Sequence, residues 1–195
     1  MATLCSYHVL TVLMITTLLC ILYIQPISAS PQAYTNFIKT SCSKTTYPPL
    51  CTQTLSPFAT SVQTNPIKLC NRALNISIQA AHNTSTFVSN LSKQKGLSWI
   101  EKAAIKDCMD DLKDCVYQLK QTMSAMGKLG GSDREFQWAN AKTWASAAIT
   151  DTDSCLDGFE GRKVSPQMKN KIKSTMMGVA RLTSNALALI NHLNY

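Results

Sequence analysis

Apolar side chains recur at steps of three and four after residue 65, in stretches bounded by capping residues, prolines and glycines. This spacing places them on one face of an α-helix. Start signals divide the region into four helices, opening at Asn65-Pro66, Ser98, Ser132 and Ser165-Pro166. No segment after residue 30 alternates between apolar and polar residues as a strand would. The sequence therefore predicts an all-α fold, an up-down-up-down four-helix bundle over residues 63–195.

Each predicted helix has its own expected limits and apolar face. In the second and fourth helices the face runs from Ile105 to Met126 and from Ile172 to Leu193. The third helix, opened by a capping box of Ser132 and Glu135, is expected to end at about Ile149. The expected face of the first helix consists of Leu69, Ala73, Ile76, Ala80, Thr84, Phe87 and Leu91.

The stretch before the bundle, residues 30–62, has a different pattern. Cys42 and Cys51 flank Tyr47-Pro48-Pro49, a helix-breaking turn between two short apolar segments. We expect a helical hairpin clipped by its own disulfide and projecting from the bundle. Together with the bundle it makes one domain, residues 30–195.

The first 29 residues indicate the compartment. An apolar run, Val9 to Ile24, is followed by Pro26 and the small residues Ser28 and Ala29. This layout is typical of a secretory signal peptide, and Pro26 favours cleavage over the alternative of a membrane-spanning signal anchor. We expect a secreted, extracellular protein with no membrane contact after cleavage. Three sequons on this route, at Asn75, Asn83 and Asn90, are candidate N-glycosylation sites.

Charge and cysteine content fit that compartment. The first 29 residues carry no charged side chain, so the whole net charge of +8 belongs to residues 30–195. A basic secreted protein suits a polyuronate-rich wall or an acidic partner, although the charge also has a simple role in solubility. Six cysteines remain after cleavage, and an even number in an oxidising compartment predicts disulfides. These are Cys42, Cys51, Cys70, Cys108, Cys115 and Cys155.

Catalytic and metal-binding patterns are not found. The only histidines after residue 29 are His82 and His192, and neither accompanies a known nucleophile signature. The acidic segment 151–157 fails as an EF-hand because Leu156 and Arg162 stand where the loop needs glycine and glutamate. The basic residues of the last helix are typical of a solvated face, so we expect no nucleic-acid partner. The sequence predicts a protein that is not an enzyme and has no cofactor or metal.

Four spaced motifs carry a resemblance to a known family. Cys42-x2-Thr45-x-Tyr47-x3-Cys51 is followed by Ala103-Ala104-Ile105-Lys106-Asp107-Cys108, Trp144-Ala145-Ser146-Ala147-Ala148-Ile149 and Cys155-Leu156-Asp157-Gly158-Phe159. In this order and spacing the motifs resemble the plant invertase and pectin methylesterase inhibitor family, from about Ala33 to Asn191. The resemblance implies a four-helix bundle with an N-terminal hairpin. It also implies disulfides between Cys42 and Cys51 and between Cys108 and Cys155.

The resemblance further implies a function and candidate contact residues. Family members bind a pectin methylesterase or an acid invertase one to one and cover the active-site cleft. Invertase inhibitors resemble one another in a Pro-Lys-Phe element that the junction of residues 158–166 lacks, so pectin methylesterase is favoured. By position, the residues implied to touch the target are Asp110, Asp114, Ser154 and Asp157. We expect a monomer that forms this complex.

Two alternatives stay open. The target could be a cell-wall or vacuolar acid invertase, because one scaffold serves both enzymes. A basic, disulfide-linked helical protein could also act on microbial membranes, but acidic residues interrupt the continuous cationic surface that such activity needs.

Cys70 and Cys115 lie outside the pattern of the family. Antiparallel helices that turn near residues 93–99 would leave the two about 10 Å apart along the axis, whereas a disulfide needs Cα atoms within about 7 Å. Two buried free thiols are favoured, with a third disulfide as the alternative.

Overall fold

A computed structural model describes residues 14–16 and 30–193. The chain divides into two compact units, Met1–Ser30 and Pro31–Tyr195. Residues 14–16 are helical; the rest of the expected signal peptide, residues 1–29, lies outside the described residues.

The second unit contains seven α-helices in its described part and no strand. The N-terminal segment holds three short helices, α1 (Pro31–Cys42), α2 (Pro48–Leu55) and α3 (Ala59–Val62), with a 3₁₀ turn at Ser56–Phe58. Four long helices follow, α4 (Pro66–Ser92), α5 (Trp99–Gly127), α6 (Arg134–Asp157) and α7 (Pro166–Asn191). Helix α4 packs on α5 and α7, and α6 packs on the same two helices. The predicted up-down-up-down bundle is confirmed.

Local signals in the sequence explain where two of the long helices begin. Asn65 caps α4, because its Oδ1 accepts a hydrogen bond from the Lys68 amide at 2.9 Å. The capping box at Ser98 and Glu101 forms as predicted and opens α5.

Helix α6 differs from the prediction at both ends. Its N-cap is Asp133 rather than Ser132, and no side chain there bonds a backbone amide, so the predicted capping box is wrong. The helix also continues past Ile149 to Asp157. It can continue because Thr152, although buried, donates its hydroxyl hydrogen bond to the Ile149 carbonyl at 2.6 Å.

The expected apolar faces are correct for two helices and rotated in a third. Every residue expected on the faces of α5 and α7 is buried. In α4 the residues Ser77, Ala81 and Val88 are buried, in place of the neighbouring Ile76, Ala80 and Phe87. Ser77 can be buried because its hydroxyl donates to the Ala73 carbonyl at 3.1 Å.

The N-terminal hairpin packs on the bundle instead of projecting from it. Its disulfide, Cys42–Cys51, forms as the resemblance implied and is buried. Buried side chains of the hairpin belong to the same apolar cluster as Leu69 of α4 and Leu189 of α7. The side chain of Asn185 on α7 accepts from the Tyr47 amide at 2.8 Å and donates to the Tyr47 carbonyl at 3.0 Å. Burial of apolar surface and this amide contact fix the hairpin in place.

Asn185→Ala is expected to lower the free energy of unfolding by about 2 kcal/mol, because it leaves the Tyr47 amide without a partner and removes one of the two hydrogen bonds to the Tyr47 carbonyl, which also accepts from the Cys51 amide. Urea unfolding measures the loss, and amide exchange at Tyr47 should rise. Asn170→Ala, at an exposed position on the same helix, is the control and should change little. Equal losses for the two variants would contradict the role of Asn185.

Cys70 and Cys115 are free and buried, which confirms the predicted thiols. Burial raises the pKa of Cys70 to about 12. Burial, together with the negative charge of Asp151, raises the pKa of Cys115 to about 12 as well. Both thiols therefore stay protonated and pack as small apolar groups.

Candidate target-binding face

Helices α5 and α6 are joined by the second disulfide that the resemblance implied, Cys108–Cys155. Both cysteines are buried and lie 47 residues apart in the chain. The cross-link fixes the antiparallel register, so residues equally far from the two cysteines lie opposite each other. We call the exposed surface along this helix pair the α5–α6 face.

Carboxylates line the groove between the two helices. Asp151 of α6 interacts with Asp114 and Asp111 of α5, and its Oδ2 is buried without a hydrogen-bond partner among the described residues. Partial burial first, and then the charges of Asp114 and Asp111, raise the pKa of Asp151 to about 6. The pKa of Asp111 is raised too, by burial and by Asp107, Asp114 and Asp110. This part of the face therefore changes charge in mildly acidic solution.

An aromatic pair lies beside the carboxylates. The rings of Tyr117 on α5 and Trp144 on α6 meet edge to face, with centroids 6.3 Å apart and planes at 85°. Tyr117 is 55% exposed although it is a large aromatic residue. Helical spacing places Phe136, 64% exposed, two turns from Trp144 on the same side of α6. Aromatic side chains left in water on a rigid helix pair are suited to burial by a partner.

The four expected contact residues are all exposed, but the structure divides them. Asp114 borders the carboxylate groove, and Ser154 lies beside the disulfide on α6. Asp110 forms an ion pair with Lys113 at 2.6 Å, and this contact lowers its pKa. Asp157 instead lines a separate hollow that includes Lys169 and Lys173 from the α7 side.

Asp111, Asp151 and Trp144 extend this set of candidates. The sequence contained the information needed to find them. In the register set by the Cys108–Cys155 disulfide, Gln118 lies opposite the region of Trp144, and Asp111 lies opposite that of Asp151. Asp151 was missed because the helix was expected to end at Ile149, before this residue. Asp151 to Asp157 are helical, so this acidic segment is not a loop.

Asp151→Asn is expected to weaken the dependence of stability on pH. The pKa of Asp151 in the folded chain, about 6, lies above its ordinary 3.8, so ionisation destabilises the folded state. The protonated carboxyl of Asp151 contributes its full stabilisation of the folded state below about pH 4, and this contribution is lost as pH rises through about 6. Between those limits wild type should lose on the order of 1 kcal/mol more than the variant, a value reduced for the partial exposure of the carboxyl.

Thermal unfolding at matched pH values measures this difference. Asp153→Asn, at an exposed position of the same helix, is the control and should keep the wild-type pH profile. A wild-type profile for Asp151→Asn would contradict the assignment.

Other expected features can be placed on the described part of the chain. The asparagines of the three sequons, Asn75, Asn83 and Asn90, are exposed on α4. Among the helices of residues 30–193, none has the length and apolarity to cross a membrane. The same residues include no group of three or more potential ligands placed to hold a metal ion.

Fold and face together define a disulfide-linked four-helix bundle whose exposed aromatic and acidic side chains are suited to contact with another protein. The chain belongs to the plant invertase/pectin methylesterase inhibitor family, whose sequence profile matches residues 36–189. The predicted family is thereby confirmed.

Individual relatives agree with this assignment. The chain is 40% identical over 168 residues to the "21 kDa protein" of Daucus carota, covering 85% of this chain and 87% of that one. It is also 40% identical over 160 residues to "Pectinesterase inhibitor 11" of Arabidopsis thaliana, covering 80% and 79%. The family and the relatives named pectinesterase inhibitors are inhibitors, which confirms that the chain is not an enzyme.

A solved structure supports the fold. The chain resembles the crystal structure of a mutant form of a pectin methylesterase inhibitor from Arabidopsis with a TM-score of 0.65 and 19% sequence identity. The match covers 80% of this chain and 97% of the other.

Proposed function

We propose that this chain is a secreted inhibitor that binds a pectin methylesterase one to one and covers its active-site cleft. The observation that carries the proposal is the 40% identity to "Pectinesterase inhibitor 11", which extends over 79% of that protein. Similarity at this level along a single domain favours a shared type of target.

The α5–α6 face is the proposed contact surface. Its 24-residue helix α6 is about 36 Å long, enough for a stable interface that buries about 800 Å² on each partner. Tyr117 and Trp144 supply the apolar anchor of the interface, and Asp114 and Ser154 supply polar contacts beside it. Because the disulfide holds the helices in register, little order has to be gained on binding.

A pectin methylesterase is favoured over an acid invertase for two reasons. The turn between α6 and α7 reads Gly158-Phe159-Glu160-Gly161-Arg162-Lys163-Val164-Ser165, without the Pro-Lys-Phe element. The names of several relatives at about 40% identity refer to pectinesterase. The invertase alternative remains an outcome of the test.

Secretion to the cell wall is part of the proposal. The apolar run and small residues of segment 1–29 predict a cleaved signal peptide. Two disulfides among the described residues fit an oxidising compartment.

The decisive experiment titrates the purified secreted chain into a pectin methylesterase and, separately, into an acid invertase. Esterase activity should fall linearly to an end point at one inhibitor per enzyme, and invertase activity should be unchanged. Inhibition of the invertase alone would identify the other target of the family. If several isoforms of both enzymes kept full activity, the proposed inhibition would be wrong.

A further inference from the structure

Acidic residues are confined to one part of the chain. All eleven lie between Glu101 and Glu160, a stretch that also holds seven of the nineteen lysines and arginines. The other twelve lysines and arginines are divided between residues 30–100 and residues 161–195, where no acidic residue occurs. The net charge of +8 is therefore the difference between a strongly basic part and a weakly acidic part.

The fold turns this division along the chain into two sides of the bundle. Helices α4 and α7 pack on each other, and the N-terminal hairpin packs on both. Helices α5 and α6, which carry nearly all of the carboxylates, pack on each other. We call the surface of α1–α4 and α7 the basic side. Among the described residues, Lys169 is the one cation of these helices that forms an ion pair.

A polar pocket lies on the basic side, where α3 meets α4. It has a volume of about 230 Å³ and is lined by Ser61, Val62, Lys68, Asn71, Arg72 and Asn75. Lys68 and Arg72 are one helical turn apart, so both cations reach the same opening. The Arg72 guanidinium lies over the Phe58 ring, 4.3 Å from the ring centroid, which orients it.

The pocket also contains an acceptor in need of a donor. The Oδ1 atom of Asn71 is buried and has no hydrogen-bond partner among the described residues. A buried acceptor without a partner costs free energy that a ligand hydroxyl group could recover. Two cations beside such an acceptor match a ligand that combines a carboxylate with neighbouring hydroxyls, which is the chemistry of a uronic acid. A simple phosphate headgroup would pair with the cations but leave the acceptor unmatched.

We propose that the basic side binds a linear polymer of uronic acid, with one sugar carboxylate held by Lys68 and Arg72 and a sugar hydroxyl donating to Asn71. The choice of a uronic acid polymer rests on the proposed function, because a pectinesterase leaves free carboxylates on the polymer that it de-esterifies. The pocket belongs to α3 and α4 and the target-binding face to α5 and α6. The inhibitor therefore binds the polymer and an enzyme at the same time, which retains it where carboxylates have been exposed.

The test measures binding of the chain to short de-esterified and fully methyl-esterified galacturonate oligomers of the same length. Binding is measured both with the chain secreted from a plant cell and with the chain made in an oxidising bacterial compartment, because Asn75, a candidate N-glycosylation site, lines the pocket. Binding by the bacterial product alone would overturn the proposal for the secreted protein. The acid oligomer should bind, and its affinity should fall with added salt. The methylated oligomer, which lacks the charge, should bind about tenfold more weakly or worse. Equal binding of the two oligomers would overturn the proposal.

Matched variants separate a site from a general effect of charge. Lys68→Glu with Arg72→Glu should weaken binding of the acid oligomer at least about tenfold. Lys120→Glu in α5 with Lys128→Glu at its C-cap makes the same change in net charge and should have a much smaller effect. Equal losses for the two double variants would show attraction by net charge alone and would overturn the pocket. Asn71→Leu should weaken oligomer binding while leaving the fold intact.

Two further measurements fix the class of partner and the link to inhibition. Vesicles rich in anionic phospholipid should bind more weakly than the oligomer and should not respond to Asn71→Leu; tighter binding to vesicles would overturn the choice of polymer. The Lys68→Glu/Arg72→Glu variant should inhibit the target enzyme as wild type does. Inhibition without oligomer binding refutes this inference alone, and oligomer binding without inhibition of either enzyme refutes the proposed function alone.

Discussion

Replacing both cysteines of the α5–α6 cross-link, Cys108→Ala with Cys155→Ala, is expected to lower the free energy of unfolding by about 3–4 kcal/mol. The bond closes a loop of 47 residues, and its loss frees that loop in the unfolded chain. For a domain of this size the melting temperature should fall by about 10 °C. Urea unfolding of the oxidised proteins gives the free energy directly.

The hairpin disulfide provides the matched control. Cys42 and Cys51 are as buried as the other pair, but they lie only nine positions apart in the chain. The chain-entropy argument therefore gives a smaller loss for Cys42→Ala with Cys51→Ala, about 2.5 kcal/mol. If removing the hairpin disulfide costs as much as removing the α5–α6 disulfide, loop length does not govern these effects.

Most of the fold could be predicted because local signals and tertiary structure agree. Asn65, Ser98 and Ser165-Pro166 mark helix starts by their hydrogen-bonding and conformational preferences, and the structure begins helices there. The expected faces of α5 and α7 combine strongly apolar residues at regular spacing. Where helix start signals, the spacing of apolar residues and tertiary packing all favour the same structure, one fold is strongly favoured.

The sequence-based prediction is wrong where polar side chains are buried, because these side chains make hydrogen bonds within their own helix. Ser77 and Thr152 each donate a hydrogen bond to a carbonyl of the preceding helical turn, so they occupy positions that a hydrophobic pattern assigns to solvent. Because Ser77 and Thr152 were assigned to solvent, the expected face of α4 was rotated and the expected α6 was too short. The hairpin was also misplaced, because the contact between Asn185 and Tyr47 joins residues 138 positions apart. Periodicity carries no information about such a pair.

The candidate site was less predictable than the fold. The resemblance implied exposed polar contact residues on α5 and α6, but which side chains of the two helices face each other depends on the register between them. Asp151 illustrates the gap, because its raised pKa arises from partial burial and from carboxylates on another helix. Neither cause can be read from the residues beside it in the sequence.

On the proposed face, Trp144→Ala is expected to weaken inhibition of the target about 100-fold. Its indole packs edge to face against Tyr117, and truncating an aromatic anchor at the centre of an interface costs about 2–4 kcal/mol. Tyr117→Ala should cause a loss of similar order, since each ring holds the other in place. Inhibition constants measured by titration give the change, with a melting curve for each variant to show that the fold persists. Trp144→Phe keeps an aromatic ring and should recover much of the loss.

Trp99→Ala is the matched control for this prediction. Trp99 is 81% exposed at the first position of α5, about 27 Å along the helix axis from Tyr117. If the aromatic pair anchors the complex, removing the distant tryptophan leaves inhibition within about threefold of wild type, the range of a peripheral contact. A large loss at Trp99 with none at Trp144 or Tyr117 would move the interface to the other end of the helix pair. Loss at all three positions would instead extend the interface along the whole of α5, because helical spacing sets Trp99 on the same side as Tyr117.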